Sequence, residues 1–545
     1  MYAKCGKLGC ARRVFDKMPE TNIVSWSAMI SGYEQGGECL MALELFAQLP
    51  FVPTDYVFAS AISACADVGL VMCGRQLHGQ SLKFGRDAFS HVSNSLISMY
   101  LKCGCHDDAL SVYSGASECN LVTYNALIKG FAENQKPVIA LDLFKHMCQL
   151  GLVPDQFSFM GVLCACSNAD FMVLGVSLHC QAIKLSFEAA SSVGNVIVMM
   201  YSDFKMIEEA VKAFYSVIQK DIISWNSVIS ACSHCEDHIR GLQIFTEMVR
   251  ERSFCPDNYT FASVLAACAV VALIRHGKEV HGHLVRTTPC PDIKVVNALV
   301  NMYAKCGCIN EASIIFNSVN NRNLVTWNTM IAGLANHGYG EKAHSLFEAM
   351  NDSGVKPDAF TFMGVLIACN HAGLVKEGQD YFNSMENSFG ITPELEHFSC
   401  FIDLLGRAGK FNDAEYYMSK SPFGQDPVIL GSLLSASLVH RNVEFGLRTA
   451  TKLLNLWPRT TSPYVLLSKC FALCGLWDSV AAVRKMMKNN GLKKEPGHSL
   501  IEVNGVVERF TMGEYVHSRS EEVGDMLELL REAFTEVAEQ FNAYL

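Results

Sequence analysis

Residues Leu121 to Asp155 read LVTYNALIKGFAENQKPVIALDLFKHMCQLGLVPD. Within this stretch Ala140, Leu143, Phe144 and Met147 are offset by 3, 4 and 7 positions, which puts them on one helical face. The same mark returns at Ala210, Ala213, Phe214, Val217 and at Ala343, Leu346, Phe347, Met350. Glycine or proline separates the periodic segments, and Pro-Asp closes several: Pro154-Asp155, Pro256-Asp257, Pro291-Asp292 and Pro357-Asp358. A unit of 31–36 residues holding two short helices cannot bury its own apolar face. Stacked on like units it can, so the pattern predicts an all-α chain, an α-solenoid.

Outward from this stretch the repetition has a longer period. Met-Tyr recurs at Met1, Met99, Met200 and Met302, with gaps of 98, 101 and 102. An aromatic-polar pair recurs with the same gaps at Trp26-Ser27, Tyr124-Asn125, Trp225-Asn226 and Trp327-Asn328. Ala-Cys returns at Cys65, Cys166, Cys268 and Cys369, and Leu or Val followed by His at His78, His179 and His281. Lys-Cys-Gly follows Met-Tyr in three of four copies: Lys4-Cys5-Gly6, Lys102-Cys103-Gly104 and Lys305-Cys306-Gly307. Each superperiod of about 100 residues divides by three.

The 545 residues are half hydrophobic and carry a net charge of −10, which argues against a protein that grips phosphates over its whole surface. The longest uncharged apolar stretch, Asn258 to Ile274, has 17 residues and contains polar ones, so no membrane association is expected. The 23 cysteines are spread along a large chain, which favours reduced, buried thiols over a disulfide scaffold.

These residues resemble the plant pentatricopeptide-repeat family, in the subclass built from P-L-S triplets. Leu121–Asp155 resembles a P repeat, Phe261–Gly282 an L repeat and Val295–Ala312 an S repeat. Residues 23–426 then read as twelve repeats: P 23–54, L 55–89, S 90–120, P 121–155, L 156–190, S 191–221, P 222–257, L 258–292, S 293–323, P 324–358, L 359–394 and S 395–426. Residues 1–22 match the end of an S repeat, with Met1 in mid-helix, so a truncated start is expected. For fold, the resemblance implies a right-handed superhelix of tetratricopeptide-like helix-turn-helix units.

The resemblance further implies one base of single-stranded RNA per repeat, read by the fifth and last residues. Carried over, the pairs are Ser27/Thr54, Asn94/Asn120, Asn125/Asp155, Asn195/Asp221, Asn226/Asp257, Asn297/Asn323, Asn328/Asp358 and Ser399/Asp426. An amide both donates and accepts, which suits a pyrimidine edge, while a hydroxyl–carboxylate pair suits guanine. In the family Asn with Asp favours uridine, Asn with Asn a pyrimidine, and a small hydroxyl with Asp guanosine. Ser27/Thr54 departs from these combinations. The L repeats carry Ala59, Met160, Ala262 and Met363 at the fifth position, none able to read an edge. The expected site is n-n-Y-U-n-U-U-n-Y-U-n-G. Second residues such as Val122, Ile223 and Val325 either wedge between bases, as in the family, or pack in the core.

Beyond the triplets, residues 427–494 resemble the two E-type helix pairs of organellar RNA-editing factors, with Leu430 where tryptophan is usual. Alternation through Leu500–Val503 and Val506–Phe510 around Asn504-Gly505 predicts a β-hairpin. A last helix is expected with Val523, Met526, Leu527, Leu530, Phe534, Val537 and Phe541 on one face. Residues 495–545 resemble the E-plus region and carry 11 acidic and 3 basic side chains. The sequence to Leu545 lacks the His-x-Glu and Pro-Cys-x-x-Cys signature of the zinc deaminase found in longer members. His234-Cys235-Glu236 with Cys232 overlaps the wrong way and reads as packing, as do Cys103/Cys105 and Cys306/Cys308.

Together these readings give a non-catalytic specificity factor for organellar C-to-U editing, with no cofactor, no metal and no catalytic residue. Its expected partners are single-stranded organellar RNA, a DYW-type deaminase in trans and multiple organellar RNA editing factors. Alternatives are a factor for transcript stability, splicing or translation, and a tetratricopeptide-like protein scaffold. The family implies the mitochondrion or alternatively the chloroplast, and no transit peptide is visible in the sequence.

Overall fold

The computed structural model describes residues 2–545 except 117–118, 252, 289–290, 457–459, 493–496, 504–505, 512–524, 527 and 530–545. The chain forms two compact units, Met1–Ala267 and Cys268–Leu545, the division falling within the helix Asn258–Val271. The fold is an α-solenoid of helix-turn-helix repeats.

In the first unit the helix Leu8–Asp16 precedes successive pairs. These are Ile23–Gln35 with Cys39–Ala47, Asp55–Val68 with Val71–Lys83, Ser90–Lys102 with His106–Gly115, and Leu121–Glu133 with Pro137–Gln149. Gln156–Ala165 with Met172–Lys184, Ser191–Asp203 with Ile207–Ser216, and Ile222–His234 with His238–Glu251 complete them. In the second unit Ile274–Thr287 is followed by Ile293–Lys305 with Ile309–Ser318, Leu324–Asn336 with Gly340–Asp352, Ala359–Ala372 with Val375–Asn387, and Leu395–Arg407 with Phe411–Lys420. Two more pairs follow, Pro427–Val439 with Val443–Leu456 and Ser462–Leu473 with Trp477–Asn489. Within each unit the first helix of a pair packs on its own second helix and on the first helix of the next pair.

The recurring dipeptides are the joints of this stack. Ala140, Leu143, Phe144 and Met147 are buried, as are Ala210, Ala213, Phe214 and Val217. Of the third set Ala343, Phe347 and Met350 are buried and Leu346 is half-buried. The Leu/Val-His and Met-Tyr motifs meet across neighbouring repeats. His78 Nδ1 lies 2.9 Å from the Tyr100 hydroxyl, His179 Nδ1 2.8 Å from Tyr201, and His281 Nδ1 2.9 Å from Tyr303. Met99, Met200 and Met302 each sit where a glycine one turn before the histidine leaves room. A Cβ on Gly74, Gly175 or Gly277 would come within 2.6, 2.8 or 2.4 Å of the Sδ of Met99, Met200 or Met302. Burial lowers the pKa of His78, His179 and His281 and raises that of their tyrosines, so it favours the neutral form of each ring.

The Ala-Cys cysteines, Cys65, Cys166, Cys268 and Cys369, are all buried. The expectation of buried thiols does not extend to Cys5, Cys148, Cys164, Cys180, Cys255 and Cys474, which are exposed. Leu430, in place of the family's tryptophan, is buried with Leu434, Leu453, Tyr464 and Leu467 in the core of the last two pairs. The hairpin forms from His498–Val503 and Val506–Thr511, antiparallel, with Val503 opposite Val506 and His498 opposite Thr511. Its turn, Asn504-Gly505, lies outside the described residues. So does the expected last helix, apart from Asp525, Met526, Glu528 and Leu529, which are helical. Among the described residues no helix is long and apolar enough to cross a membrane.

Candidate nucleic-acid interface

The aromatic-polar pairs split their duties between core and surface. Trp225 packs edge-on against Phe214 with centroids 4.9 Å apart, Trp327 against Phe316 at 5.2 Å, Tyr124 against Tyr113 at 5.9 Å, and Trp26 against Phe15 at 5.1 Å. Such pairs contribute about 0.5–1.5 kcal/mol beyond the area they bury. Each ring pins the start of a first helix, and the next residue, one helical step round, points away from the ring.

The last residue of a repeat is the N-cap of the following first helix. Asp155 Oδ1 accepts the Ser158 N–H at 2.9 Å, Asp257 Oδ1 the Thr260 N–H at 2.8 Å, and Asp358 Oδ1 the Thr361 N–H at 2.9 Å. In return the capping hydroxyls accept from the backbone N–H of Asp155, Asp257 and Asp358. The same carboxylates receive the fifth-residue amide of the preceding helix. Asn125 Nδ2 donates to Asp155 Oδ1 at 3.0 Å, Asn226 Nδ2 to both oxygens of Asp257 at 3.2 Å, and Asn328 Nδ2 to Asp358 Oδ1 at 2.9 Å. Sequence separations of 30, 31 and 30 are closed to hydrogen-bond distance by the helix-turn-helix.

Loss of part of its water shell would alone raise the Asp257 carboxyl. The bonds it accepts from the Thr260 N–H and hydroxyl, the Asn226 amide and the Tyr259 N–H outweigh that and hold it below the ordinary aspartate value. Asp221 is held low in the same way, burial being outweighed by bonds from Ser224, Asn195 and Ser191. Both remain ionised acceptors at neutral pH.

Each of the three P-repeat pairs opens into a cleft. One of about 620 Å³ is lined by Asn125 and Asp155, one of about 610 Å³ by Asn226 and Asp257, and one of about 820 Å³ by Asn328 and Asp358. The three share a helical face. Val122, Asn125, Ala126 and Lys129 match Ile223, Asn226, Ser227 and Ser230, and Val325, Asn328, Thr329 and Ala332. Val122, Ile223 and Val325 are 61%, 60% and 55% exposed, so they are not core residues. Across each cleft stands an exposed aromatic ring from the second position of the following L repeat: Phe157, Tyr259 and Phe360. These rings were missed in the sequence, although an aromatic at that position in all four L repeats, Tyr56 included, was there to be seen. Met160 and Met363 add apolar lining, and Lys129 and Lys305 a cation at two of the clefts.

The other pairs are held differently. Asn195 Nδ2 reaches Asp221 Oδ1 at 3.4 Å and Asn297 Nδ2 reaches Asn323 Oδ1 at 3.5 Å, both from buried asparagines. No bond joins Asn94 to Asn120, Ser27 to Thr54 or Ser399 to Asp426 among the described residues. Asn120, Thr54 and Asp426 are N-caps all the same, accepting from Thr123, Val57 and Val428. At the turn after Ile222–His234, Cys232 is buried with its thiol pushed up to about 12, whereas the Cys235 thiol turns to the Ser202 carbonyl. Among the described residues no group of three or more His, Cys, Asp or Glu side chains could hold a metal ion.

Comparison with known proteins bears on this arrangement. The PPR repeat model matches residues 24–50, 92–120, 223–253 and 295–324, and the PPR repeat family model matches 120–168 and 322–371. The Arabidopsis thaliana pentatricopeptide repeat-containing protein At2g13600 is 34% identical over 601 residues, covering 97% of this chain and 86% of that protein. The chain belongs to the pentatricopeptide repeat family. An E motif follows the repeats at residues 440–502. Two further Arabidopsis thaliana pentatricopeptide proteins, At1g11290 and At1g15510, both named chloroplastic, are 34% and 36% identical over 97% and 98% of the chain. The chain spans 66% and 62% of their lengths. Among solved structures, maize PPR10 aligns at 16% identity over 90% of this chain and 82% of that one, with a TM-score of 0.49. PPR10 in complex with an 18-nt psaJ RNA element aligns at 16% identity over 90% and 79%, with a TM-score of 0.46.

Proposed function

We propose that this pentatricopeptide chain binds single-stranded RNA one base per repeat and selects the site of C-to-U editing in an organelle. The clefts carry the proposal. Each is bounded by an aliphatic side chain on one side and an aromatic ring on the other, with an Asn–Asp pair between them. A flat base stacked there gains about 1–3 kcal/mol whatever its identity. Identity is then read by the amide, which keeps an N–H and acceptor capacity on its carbonyl oxygen beyond the bonds described above.

On this reading the base-reading pairs are those carried over from the sequence, and Ser27/Thr54 reads no base. The division is also part of the proposal: a partial S repeat at 1–22, twelve repeats at 23–426, E-type pairs at 427–494 and an acidic E-plus-like segment at 495–545. The E motif favours editing over a role in transcript stability or splicing, because it adds a module beyond the RNA-reading array. Deamination is assigned to a DYW-type deaminase acting in trans, alongside other organellar editing factors. The acidic segment repels phosphate, which suits docking of protein over RNA. A pure protein scaffold would give no reason for three identical Asn–Asp clefts. The plastid is tested before the mitochondrion, since two relatives are named chloroplastic.

The test is the affinity of the chain for a twelve-nucleotide RNA of sequence n-n-Y-U-n-U-U-n-Y-U-n-G, varied one base at a time. Asn226→Thr should move the preference at the position facing Asn226 from uridine toward guanosine, by about 1–3 kcal/mol. An unchanged preference refutes the register. In a loss-of-function line, organellar cDNA should lose editing at cytidines downstream of matching sequence. Intact editing with altered transcript abundance or splicing would replace editing with the second role.

A further inference from the structure

Six asparagines stand at equivalent places on first helices, and their carbonyl oxygens divide into two chemical states. In the P repeats the oxygen is occupied. Ser158 Oγ lies 2.6 Å from Asn125 Oδ1, Thr260 Oγ1 2.6 Å from Asn226 Oδ1, and Thr361 Oγ1 2.6 Å from Asn328 Oδ1. In the S repeats the Oδ1 atoms of Asn94, Asn195 and Asn297 are all buried with no hydrogen-bond partner among the described residues. The equivalent hydroxyls there turn to the capping residue alone. Thr123 lies 3.2 Å from Asn120 Oδ1, Ser224 2.8 Å from Asp221 Oδ1, and Thr326 2.9 Å from Asn323 Oδ1.

The difference bears on which way the amide faces. The two ends of a primary amide exchange places by a half-turn about its last side-chain bond. At Asn226 that turn would set the carbonyl oxygen against the Asp257 carboxylate and point the amide N–H groups at the Thr260 hydroxyl, which would be left with Asp257 Oδ1, 2.8 Å away, as its acceptor. Two independent contacts therefore hold a single orientation. At Asn195 one long contact does so, and at Asn297 the single partner is another amide, which can itself turn. A reader that can present either its donor or its acceptor to a base discriminates poorly between bases that differ in that pattern.

We infer that the hydroxyls of Ser158, Thr260 and Thr361 are positioning residues for base reading. They lie at the third position of the L repeats, yet they orient the asparagine of the preceding P repeat. The L repeats, which carry no edge-reading fifth residue, thus sharpen the reading of their neighbours, and S-repeat positions read more loosely. This inference rests on the RNA-reading function proposed above.

The experiment uses the full chain and fluorescence anisotropy with the twelve-nucleotide RNA, setting each of the four bases in turn at the positions facing Asn226 and Asn195. Thr260→Val should lower the uridine preference at the Asn226 position about fivefold. The preference at the Asn195 position should be unmoved, and Thr260→Ser should restore the wild-type ratio. Ser224→Ala removes a capping hydroxyl that touches no asparagine carbonyl, so it should leave the ratio at the Asn195 position unchanged. Ser158→Ala, a smaller change, repeats the test at Asn125 should the valine variant fail to fold. Full retention of preference in Thr260→Val and Ser158→Ala overturns the inference while leaving the RNA-reading function intact. An equal loss in Ser224→Ala overturns it too, because capping alone would then explain the effect. A wild-type chain with no preference at the Asn226 position overturns the RNA-reading function, and this inference with it.

Discussion

Asp257 holds two jobs whose removal can be separated. It caps the helix that begins at Asn258, and it accepts the Asn226 amide. Asp257→Ala removes both. Loss of an N-cap costs about 1 kcal/mol. The Asn226 amide also loses its acceptor, for about 1 kcal/mol more, while the fully buried Thr260 hydroxyl keeps Asn226 Oδ1. Asp257 itself is exposed, so the lower end of each range applies. About 2 kcal/mol of local stability corresponds to roughly a 30-fold rise in the opening constant of that first turn. Asp257→Asn keeps the capping oxygen, since asparagine caps as well as aspartate. It loses the charge at the helix N-terminus, about 0.3–1 kcal/mol or a few-fold, and one of the two oxygens that the Asn226 amide reaches. Hydrogen-exchange mass spectrometry on peptides covering 257–265 should therefore rank Ala well above Asn, and Asn slightly above wild type. The wild-type carboxyl is held below its ordinary value. Its contribution is complete above about pH 4 and fades as pH falls below that, whereas Asp257→Asn has no such dependence. Equal acceleration in the two variants would refute the capping role, and no acceleration in either would refute the whole network.

Three further outcomes are expected. Ala272 is held at φ 56°, where Gly69 and Gly373 occupy the matching turns of other L repeats, so Ala272→Gly should stabilise by up to about 1 kcal/mol in thermal melts and Gly373→Ala should do the reverse; a lowered midpoint for Ala272→Gly would contradict this. Gly277→Ala forces a Cβ to within 2.4 Å of Met302 Sδ and should cost about 1–3 kcal/mol, with Met302→Ala in the same chain recovering part of it; a neutral Gly277→Ala melt would show that the methionine simply moves aside. Because burial keeps His78, His179 and His281 below the ordinary histidine value, their contribution is complete above about pH 6.5 and is lost as pH falls through that value; a triple glutamine variant should melt with a shallower slope between pH 7.5 and 5.5, and an unchanged slope would remove the histidines from the account.

The repeat was legible because its signals are local. A face of Ala140, Leu143, Phe144 and Met147, and a Pro-Asp ahead of the next helix, need no tertiary information. The long-period motifs were visible as text but not as contacts. Nothing in the sequence says that the glycine before His281 makes space for Met302, or that His281 meets Tyr303 across 22 residues. At the site, Asn226 and Asp257 could be placed by register, and the structure brings them together. Thr260 was invisible for a physical reason. A hydroxyl three residues after an aspartate reads as a helix cap, and its second contact, to an amide 34 residues earlier, exists only once the repeats stack. The exposed rings Phe157, Tyr259 and Phe360 recur at one register position, but position alone does not tell an exposed ring from a core ring near a helix start.

The shared cap has a consequence for recombination. A crossover placed at the natural repeat boundary, between Asp155 and Gln156, would inherit Asn125 and Asp155 from one parent and Ser158 from the other. The reading unit therefore straddles the unit of duplication. A library assembled by shuffling whole repeats would exchange the orienting hydroxyl of each P repeat along with its downstream neighbour, and an L repeat with valine at its third position would blur a letter written in a repeat nobody had altered. Splice points set after the third residue of the L repeat, beyond Ser158, Thr260 or Thr361, keep all three groups on one piece.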